Sequence, residues 1–248
     1  MTAPVVLITG ALTGIGRATA LAFAKEGARL VVAGRRDDAG DALVTELREL
    51  GAQAEFVRAD VRHEDEVRIL IDRAMDRFGR LDVAVNNAGT EGTPGPILEQ
   101  SAETYAATFD TNVLGTLLSM KHELRVMQSQ GSGVIVNISS TLGRKGAPNA
   151  SLYTGSKHAV EGMTKSAALE AAAYGVRVNA VAPGPVETGM LNRFAGTAER
   201  KTGMLANVPL KRAGTPDEVA QAIVFVASDK ASFITGQIIG VDGGRTAA

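Results

Sequence analysis

A tyrosine and a lysine one helical turn apart are the side chains whose types and spacing could do chemistry. Tyr153 and Lys157 fall in a stretch with a helical pattern, so both should lie on one face of a helix. A tyrosine with an ordinary pKa of about 10 moves protons poorly at neutral pH, and a nearby ammonium group favours its phenolate. Ser140 ends a predicted strand upstream and could donate a hydrogen bond to a substrate oxygen. By itself such a pair is more often a surface pair, so its interpretation depends on the rest of the sequence.

A glycine-rich turn follows the first predicted strand. Residues 9–16 read Thr-Gly-Ala-Leu-Thr-Gly-Ile-Gly and lead directly into a helical pattern. Glycine is needed where the backbone turns tightly and approaches a pyrophosphate, and a helix N-terminus offers free N–H groups to that anion. The turn therefore predicts a dinucleotide site whose contacts are Gly10, Thr13, Gly14, Ile15 and Gly16. The alternative is a tight strand-to-helix connection that binds nothing.

Two further segments close predicted strands, at the edge where open α/β sheets bind ligands. Asp60 and Val61 follow the third strand, and Asn87, Ala88 and Gly89 follow the fourth. The small Ala88-Gly89 pair indicates close approach of the backbone to a ligand. We assign all five residues to coenzyme binding, although Asp60 could instead cap a helix and the small pair could be a plain turn.

The elements that must position these residues alternate between strands and helices. Short β-branched runs recur at the spacing of βαβ units, and most are continuous apolar runs, as strands covered on both faces require. The sequence therefore predicts an α/β fold with one Rossmann-type, doubly wound, parallel seven-stranded sheet and helices on both faces. The predicted strands are 5–9, 29–33, 54–58, 83–85, 134–138, 176–181 and 237–241.

Capping signals mark the ends of two predicted helices. Thr215 precedes a proline at the first helical position, and Glu218 stands at the third, which predicts a capping box. A helix whose buried stripe begins at Val67 should stop at Gly79.

One segment fits the alternating pattern poorly. Residues 187–214 are long, polar and weakly periodic, so we predict a loop that acts as a substrate lid there. No linker rich in proline, glycine or serine divides the chain, which predicts a single dinucleotide-binding domain over residues 1–248.

Composition excludes several classes of protein. The chain has 248 residues and a formal net charge of −1, so it lacks the basic surface that nucleic acids or anionic lipids select. We find no membrane span and no signal peptide in the sequence. The absence of cysteine excludes disulfides and zinc thiolate sites and fits a reducing compartment, so we expect a cytoplasmic protein. His63, His122 and His158 lack metal-ligand spacing, so no metal is expected.

Taken together, these motifs resemble those of the classical short-chain dehydrogenases/reductases over essentially the full length of the chain. The order and spacing agree for the turn at 9–16, Asp60-Val61, residues 86–89, Asn112, Ser140, Tyr153 with Lys157, residues 183–188 and residues 241–244. The resemblance implies an NAD(P)-dependent oxidoreductase that transfers a hydride between the nicotinamide and a carbonyl or secondary alcohol.

The resemblance also implies a role for each matching residue. Tyr153 would be the acid in carbonyl reduction or the base in alcohol oxidation, while Lys157 would tune it and hold the nicotinamide ribose. Ser140 would polarise the substrate carbonyl, and Asn112 would anchor the water of a proton relay through Lys157. The loop at 183–188 would bind the nicotinamide carboxamide, with contacts from Pro183, Gly184, Val186 and Thr188.

A carbonyl reductase or alcohol dehydrogenase is the leading hypothesis for the activity. The alternative in the same class is a 3-oxoacyl-thioester reductase. A remote alternative is a non-catalytic redox-sensing Rossmann module, which would not need an intact set of tyrosine, lysine, serine and asparagine. The substrate should be a small molecule held by loops at 90–96, 141–151 and 187–214. The last loop favours an apolar or amphipathic compound through Met190, Leu191, Phe194, Met204 and Leu205.

The end of the second strand bears on the choice of coenzyme. An acidic side chain there commonly selects NAD by binding the ribose hydroxyls, and it repels a 2′-phosphate. Here that position is Gly34, and Arg35 and Arg36 follow with positive charge, so NADP(H) is favoured over NAD(H). Two features oppose this interpretation. Thr13 stands where NADP-preferring relatives often place a second basic residue, and Asp37 or Asp38 could contact the ribose instead.

A homotetramer is expected from the same resemblance. The helices predicted over about 102–128 and 153–173 resemble those that pair subunits in this family. The second of them is rich in small residues that permit close approach.

Overall fold

One sheet of seven parallel strands organises the structure. The computed structural model describes residues 3–247. The strands are β1 (Val5–Thr9), β2 (Arg29–Gly34), β3 (Ala54–Arg58), β4 (Val83–Asn86), β5 (Gly133–Ile138), β6 (Val176–Pro183) and β7 (Ile238–Val241). They pair in the order β3-β2-β1-β4-β5-β6-β7, with every neighbouring pair parallel. The predicted doubly wound sheet is confirmed, and no strand differs from its predicted range by more than two residues at an end.

Helices connect the strands. They are α1 (Gly14–Lys25), α2 (Asp37–Glu49), α3 (Glu64–Phe78), α4 (Ala102–Phe109), α5 (Gly115–Gln130), α6 (Ser151–Ala171), α7 (Gly189–Ala195), α8 (Ala198–Ala206) and α9 (Pro216–Ala227). Between residues 3 and 247, none of them is long and apolar enough to cross a membrane.

Each face of the sheet buries its own apolar core. Successive strand residues point to opposite faces. Val6 and Ile8 pack with α1, α2 and α9, whereas Leu7 packs with α3, α5 and α6. Because β1 is buried along its whole length, its sequence is a continuous apolar run instead of an alternating one.

Both predicted capping signals are confirmed. The Glu218 N–H donates to Thr215 Oγ1 (3.2 Å), and the Thr215 N–H donates to the Glu218 carboxylate (2.8 Å). Gly79 terminates α3 with a φ of 75°, a left-handed conformation that glycine adopts without strain.

The prediction of a loop over 187–214 is wrong in part, because the segment contains α7 and α8. Thr188 and Thr197 cap these helices by accepting hydrogen bonds from the N–H groups of Leu191 and Arg200. With 7 and 9 residues, the helices are too short for a 3.6-residue period to repeat clearly.

The helix predicted over 102–128 is interrupted. A π-helical turn at Asp110–Leu114 separates α4 from α5 and contains Asn112. Such turns replace part of the regular hydrogen-bond ladder and are frequent at functional sites.

A polar cluster lies inside the core beneath β4 and β5. The Asn86 amide nitrogen donates to the Glu123 carboxyl group and to Asn137 Oδ1, both at 3.0 Å. The Asn137 amide donates to Thr164 Oγ1 at 2.9 Å. Glu123 is fully buried, and this burial raises its pKa to about 8. The side chain is therefore protonated at neutral pH.

Glu123→Gln is expected to flatten the pH dependence of stability. The folded chain keeps the carboxyl proton up to a pKa of about 8, whereas the ordinary value is 4.5. The stability contributed by this group is complete below the ordinary pKa and is lost as the pH rises through the folded one. Thermal unfolding midpoints between about pH 5 and about pH 9 measure the effect, with Glu49→Gln on the exposed side of α2 as the control. Parallel profiles for wild type and Glu123→Gln would contradict the prediction.

Candidate active site

The glycine turn between β1 and α1 packs against the loop that follows β4. Gly10 has a φ of 62°, and a Cβ there would lie 2.7 Å from the Ala88 Cα. A Cβ on Gly16 would collide with the Gly10 carbonyl and the Asn87 amide. Gly14 has a φ of 55° and faces the Thr188 side chain. Backbone packing and conformation therefore require glycine at all three positions.

The N-terminus of α1 has no side-chain cap. Thr13 occupies the N-cap position, but its side chain accepts no hydrogen bond from the helix. Within residues 3–247, the N–H groups of Gly14, Ile15 and Gly16 have no acceptor. In contrast, α4 and α9 have complete capping boxes. Free N–H groups at the positive end of a helix bind anions, so this turn fits the pyrophosphate of a dinucleotide.

The loop at Asn87, Ala88 and Gly89 is fastened to the end of β1. The N–H groups of Asn87 and Ala88 donate to Thr9 Oγ1 at 3.1 and 3.2 Å. The Asn87 side chain donates to the carbonyls of Thr9 (3.1 Å) and Gly10 (2.9 Å). The predicted coenzyme contacts after β1 and β4 are thus neighbours at the point where strand order reverses, as open α/β sheets place their ligands.

Three hydrogen bonds fix the side chain of Asn112 within the π-helical turn. Its Oδ1 accepts from the Thr90 N–H (2.8 Å), and its Nδ2 donates to the Thr90 carbonyl (2.9 Å) and to Ser156 Oγ (3.0 Å). A Cβ on Gly89 would lie 3.3 Å from Asn112 Oδ1 and 3.6 Å from Lys157 Nζ. The asparagine and the lysine therefore flank the same glycine.

Ser140, Tyr153 and Lys157 converge at the carboxyl end of β5. Lys157 Nζ lies 5.7 Å from the centre of the Tyr153 ring and donates to the Ile138 carbonyl at 2.9 Å. Ser140 Oγ accepts from the Leu142 N–H at 3.2 Å, and its hydroxyl hydrogen-bonds to Tyr153. The structure thus brings together the serine, tyrosine and lysine that the sequence singled out.

The surroundings set the protonation of this cluster. Burial raises the pKa of Tyr153 to about 12, the Ser140 hydrogen bond opposes this rise, and the Glu91 charge adds to it. Burial lowers the pKa of Lys157 to about 8. The sequence predicts that Lys157 lowers the tyrosine pKa, but burial is the largest cause of the shift here and it raises the pKa. At neutral pH both groups therefore carry their protons.

The residues predicted to contact the adenosine end lie beyond β2 and β3. Arg35 is 69% exposed, and its Nη1 lies 3.9 Å from the Asp60 carboxylate. Arg62 holds that carboxylate with Nε at 3.0 and 3.1 Å and Nη2 at 2.6 Å, and it lowers the Asp60 pKa. The Val61 side chain packs against Gly115. Arg36 is exposed at the N-cap of α2 and, within residues 3–247, forms no ion pair.

The loop at 183–188 lines the opposite side of the sheet opening. The Gly184 N–H donates to the Val241 carbonyl at 3.0 Å, and a Cβ on Gly184 would lie 2.9 Å from the Asp242 Cα. Val186 forms a β-bridge with Gly214. This pairing holds the base of the 187–214 segment to the end of β6, where Pro183 closes the strand.

These elements enclose a cleft of about 790 Å³, including its open mouth. Its walls include Asn87, Gly89, Ser140, Tyr153, Lys157, Pro183, Gly184, Val186 and Thr188. Of the apolar residues predicted to meet the substrate, Met190, Leu191, Phe194 and Met204 line the cleft; Leu205 does not. The Phe194 ring stands 6.0 Å from that of Tyr153, measured between ring centres.

The sequence did not indicate three charged residues of this region, which are Glu91, Arg193 and Arg245. Glu91 is 8% exposed, lines the cleft and pairs with Arg193 of α7 at 2.5 and 3.2 Å. Arg245 follows the two glycines after β7 and also lines the cleft. The segments that carry them meet only through the fold, so no local spacing could have indicated them.

The histidines lie apart from one another. His63 contacts Glu66, His122 contacts Glu64, and His158 contacts the Thr154 carbonyl. In the described part of the chain, no group of three histidine, aspartate or glutamate side chains is arranged to hold a metal ion.

Comparison with known proteins gives full-length matches. The family model described as enoyl-(acyl carrier protein) reductase matches residues 10–246. The cis-4-hydroxycyclohexanecarboxylate dehydrogenase of Sinomonas cyclohexanicum is 45% identical, over 98% of this chain and 96% of that protein. A 3-oxoacyl-(acyl-carrier-protein) reductase of Synechocystis is 44% identical, over 98% of this chain and 97% of that protein.

Solved structures agree with this result. Levodione reductase superposes with a TM-score of 0.96 at 35% identity, covering 99% of this chain and 98% of its own. ElxO with NADP bound superposes with a TM-score of 0.93 at 36% identity, covering all of both chains. NAD⁺-bound xylitol dehydrogenase superposes with a TM-score of 0.93 at 34% identity, covering 97% and 98%.

The sheet, the uncapped helix N-terminus and the serine–tyrosine–lysine cluster define a nicotinamide-dependent oxidoreductase. The matching family model and the full-length relatives specify the group: the chain belongs to the classical short-chain dehydrogenase/reductase family. It is therefore an NAD(P)-dependent enzyme that transfers a hydride between the nicotinamide and a carbonyl or secondary alcohol.

Proposed function

We propose that this chain interconverts a cyclic or otherwise apolar secondary alcohol and its ketone, with Tyr153 as the proton donor or acceptor. The observation that carries the proposal is the contact of Tyr153 with Ser140 and Lys157 in a cleft whose outer wall is apolar. The relative in Sinomonas, which is named as a cis-4-hydroxycyclohexanecarboxylate dehydrogenase, supports a cyclic alcohol.

In ketone reduction the substrate oxygen binds between Ser140 and Tyr153. Ser140 donates a hydrogen bond to that oxygen as negative charge develops on it. Tyr153, with a pKa of about 12, keeps its proton at neutral pH and transfers it to the oxygen. The Lys157 ammonium stabilises the tyrosinate that remains, and Asn112 anchors a water through which the proton returns. The bound coenzyme supplies the hydride in this direction and accepts it in alcohol oxidation.

We assign the remaining predicted positions to coenzyme binding. Gly10, Thr13, Gly14, Ile15 and Gly16 would hold the pyrophosphate, which the free N–H groups of α1 support. The adenosine half would be held by Arg35, Arg36, Asp60, Val61, Asn87, Ala88 and Gly89. Tyr153, Lys157, Pro183, Gly184, Val186 and Thr188 would hold the nicotinamide half.

Initial rates with cyclohexanol derivatives, linear secondary alcohols, sugars and their ketones, each with both coenzymes, test the proposal. We expect the cyclic compounds to give the highest kcat/KM. A chain that turns over none of these alcohols or ketones would contradict the proposal.

A 3-oxoacyl-thioester reductase is the second candidate. The 44% identical relative in Synechocystis bears that name. A 3-oxoacyl thioester assayed beside its free 3-oxo acid separates the two candidates. A strong preference for the thioester over every cyclic ketone would favour the second candidate.

We also propose that the chain works as one domain in which residues 187–214 form a substrate lid. One ion pair supports a closed position, that of Arg193 of α7 with Glu91 across the cleft. A second pair, Lys201 of α8 with Glu187 at 2.7 Å, joins two parts of the segment itself. Hydrogen exchange in this segment is expected to slow when coenzyme and substrate bind together. Protection that is already high and does not change on binding would contradict a moving lid.

Exposed apolar side chains support a homotetramer. Tyr105 of α4, Leu117 of α5 and Leu169 of α6 are 49%, 48% and 83% exposed, and such side chains on helix faces are typical of subunit contacts. Light scattering at micromolar concentration is expected to give the mass of four chains. Leu117→Lys should shift that mass downward, with the exposed Leu50→Lys just after α2 as the control. A monomeric wild type would contradict the proposal. We also propose that the protein is cytoplasmic, which cell fractionation would test.

A further inference from the structure

Arg245 places a positive charge at the substrate cleft that the proposed reaction does not use. It follows the tight turn after β7, and Lys145 Nζ fixes its carbonyl oxygen at 2.9 Å. The residue is partly buried and lines the same cleft as Tyr153 and Phe194. Its guanidinium forms neither an ion pair nor a hydrogen bond with any residue between 3 and 247.

The acidic groups near Arg245 are already engaged. The Asp242 carboxylate accepts hydrogen bonds from the Gly244 N–H (2.9 Å), the Thr246 N–H (2.9 Å) and Thr246 Oγ1 (2.6 Å). Glu91, the acidic residue of the cleft wall, is paired with Arg193. Burial lowers the pKa of Arg245, and the Asp242 charge opposes this only in part. A guanidinium remains charged under these conditions, so its desolvation is uncompensated within the described chain.

The apolar residues beside Arg245 indicate that its charge could orient a bound ligand. Leu142, Met190 and Phe194 offer apolar surface, and pockets of this kind orient a ligand with a few charged or polar groups. A planar guanidinium matches a carboxylate with two parallel hydrogen bonds. An anion on the substrate would therefore find a partner in Arg245 beside this apolar surface.

We infer that Arg245 binds a carboxylate of the substrate, which makes the natural substrate a hydroxy or oxo acid whose reacting oxygen lies at Tyr153. The inference rests on the proposed function for the position of the reacting oxygen. It adds the chemical class of the substrate and the residue that selects it.

The test compares an acid with its neutral analogues. We measure kcat/KM for 4-hydroxycyclohexanecarboxylate, its methyl ester and its amide, in wild type, Arg245→Met, Arg245→Lys and Lys230→Met. Lys230 lies exposed after α9, outside both the cleft and residues 187–214, so its replacement removes a positive charge without touching the site. A charge-assisted pair is worth roughly 10- to 100-fold in affinity.

Wild type is expected to have a kcat/KM for the acid that is about 10- to 100-fold higher than for the ester or the amide. Arg245→Met should lose the preference while keeping its activity on the neutral compounds, Arg245→Lys should keep part of it, and Lys230→Met should keep it all. An unchanged preference in Arg245→Met would overturn the inference. A rise in coenzyme KM that is equal for all three substrates would also overturn it, because Arg245 would then serve the coenzyme.

A binding measurement separates this inference from the proposed function. Calorimetry of coenzyme-loaded protein with cyclohexanecarboxylate and with cyclohexanecarboxamide reports anion selection without turnover. If wild type turned over no alcohol, the proposed function would fail. Selective binding of the carboxylate that Arg245→Met abolishes would still support the anion site, and equal binding of both compounds would overturn it.

Discussion

Tyr153→Phe is expected to lower kcat by a factor of about 100 to 10,000, the range that general acid–base groups contribute. The substitution removes only the hydroxyl that exchanges a proton with the substrate oxygen. The ring stays beside Phe194 and under the Lys157 ammonium, so packing should be preserved. Coenzyme affinity, measured by fluorescence titration, should change little.

Two other tyrosines provide matched controls. Tyr105 and Tyr174 are both 49% exposed, and neither lines the cleft. Their replacement with phenylalanine should leave kcat unchanged. A Tyr153→Phe enzyme that kept more than about a hundredth of the wild-type rate would contradict the assignment of the acid.

A change of coenzyme preference is the second large effect. Wild type is expected to prefer NADP(H), and Arg35→Leu should lower kcat/KM for NADP(H) by about 10- to 100-fold, the worth of a charge-assisted hydrogen bond to a phosphate. Arg35 suits this role because it is exposed and only distantly paired with Asp60, whose carboxylate Arg62 already holds. The rate with NAD(H) should change little.

A full change of preference from NADP(H) to NAD(H) requires further substitutions, at Gly34 and Leu12. A Cβ on Gly34 would lie 2.5 Å from Leu12 Cδ1 and 2.6 Å from its Cγ. An aspartate at this position would therefore have to displace Leu12 before it could bind the ribose hydroxyls. We expect Gly34→Asp with Arg35→Leu to bind both coenzymes poorly, and the further change Leu12→Ala to restore activity with NAD(H).

Steady-state kinetics with both coenzymes measure each variant. Leu12→Ala alone is the control and should leave the wild-type preference in place. A wild type that prefers NAD(H) would refute this account of the end of β2. A triple variant whose preference does not move toward NAD(H) would show that another part of the chain sets the choice.

The core and the glycine turn were predictable because their causes are local. A strand buried on both faces needs apolar residues at every position, so β1 is recognisable from its sequence alone. Thr215 and Glu218 cap α9 through contacts within one helical turn. The signals for α7 and α8 were also local, in Thr188 and Thr197, but helices of 7 and 9 residues give too little periodicity for a helix to be predicted.

Other properties depend on residues that are distant in the chain. Whether Tyr153 has a high or a low pKa depends on how completely the fold removes water from it, and burial raises that pKa. The pairing of Glu91 with Arg193 joins the loop after β4 to α7. Arg245 reaches the cleft because β7 lies beside β6 in the sheet.

The sequence by itself determined the order of the strands, the glycine turn, the strand end that carries Ser140 and the helical pairing of Tyr153 with Lys157. These follow from backbone conformation, burial pattern and spacing within single elements, whereas only the family resemblance indicated Asn112. The tertiary structure decided the protonation of Tyr153 and Glu123 and the charges that meet at the cleft. Desolvation and pairing depend on three-dimensional neighbours, which the spacing of residues along a chain does not specify.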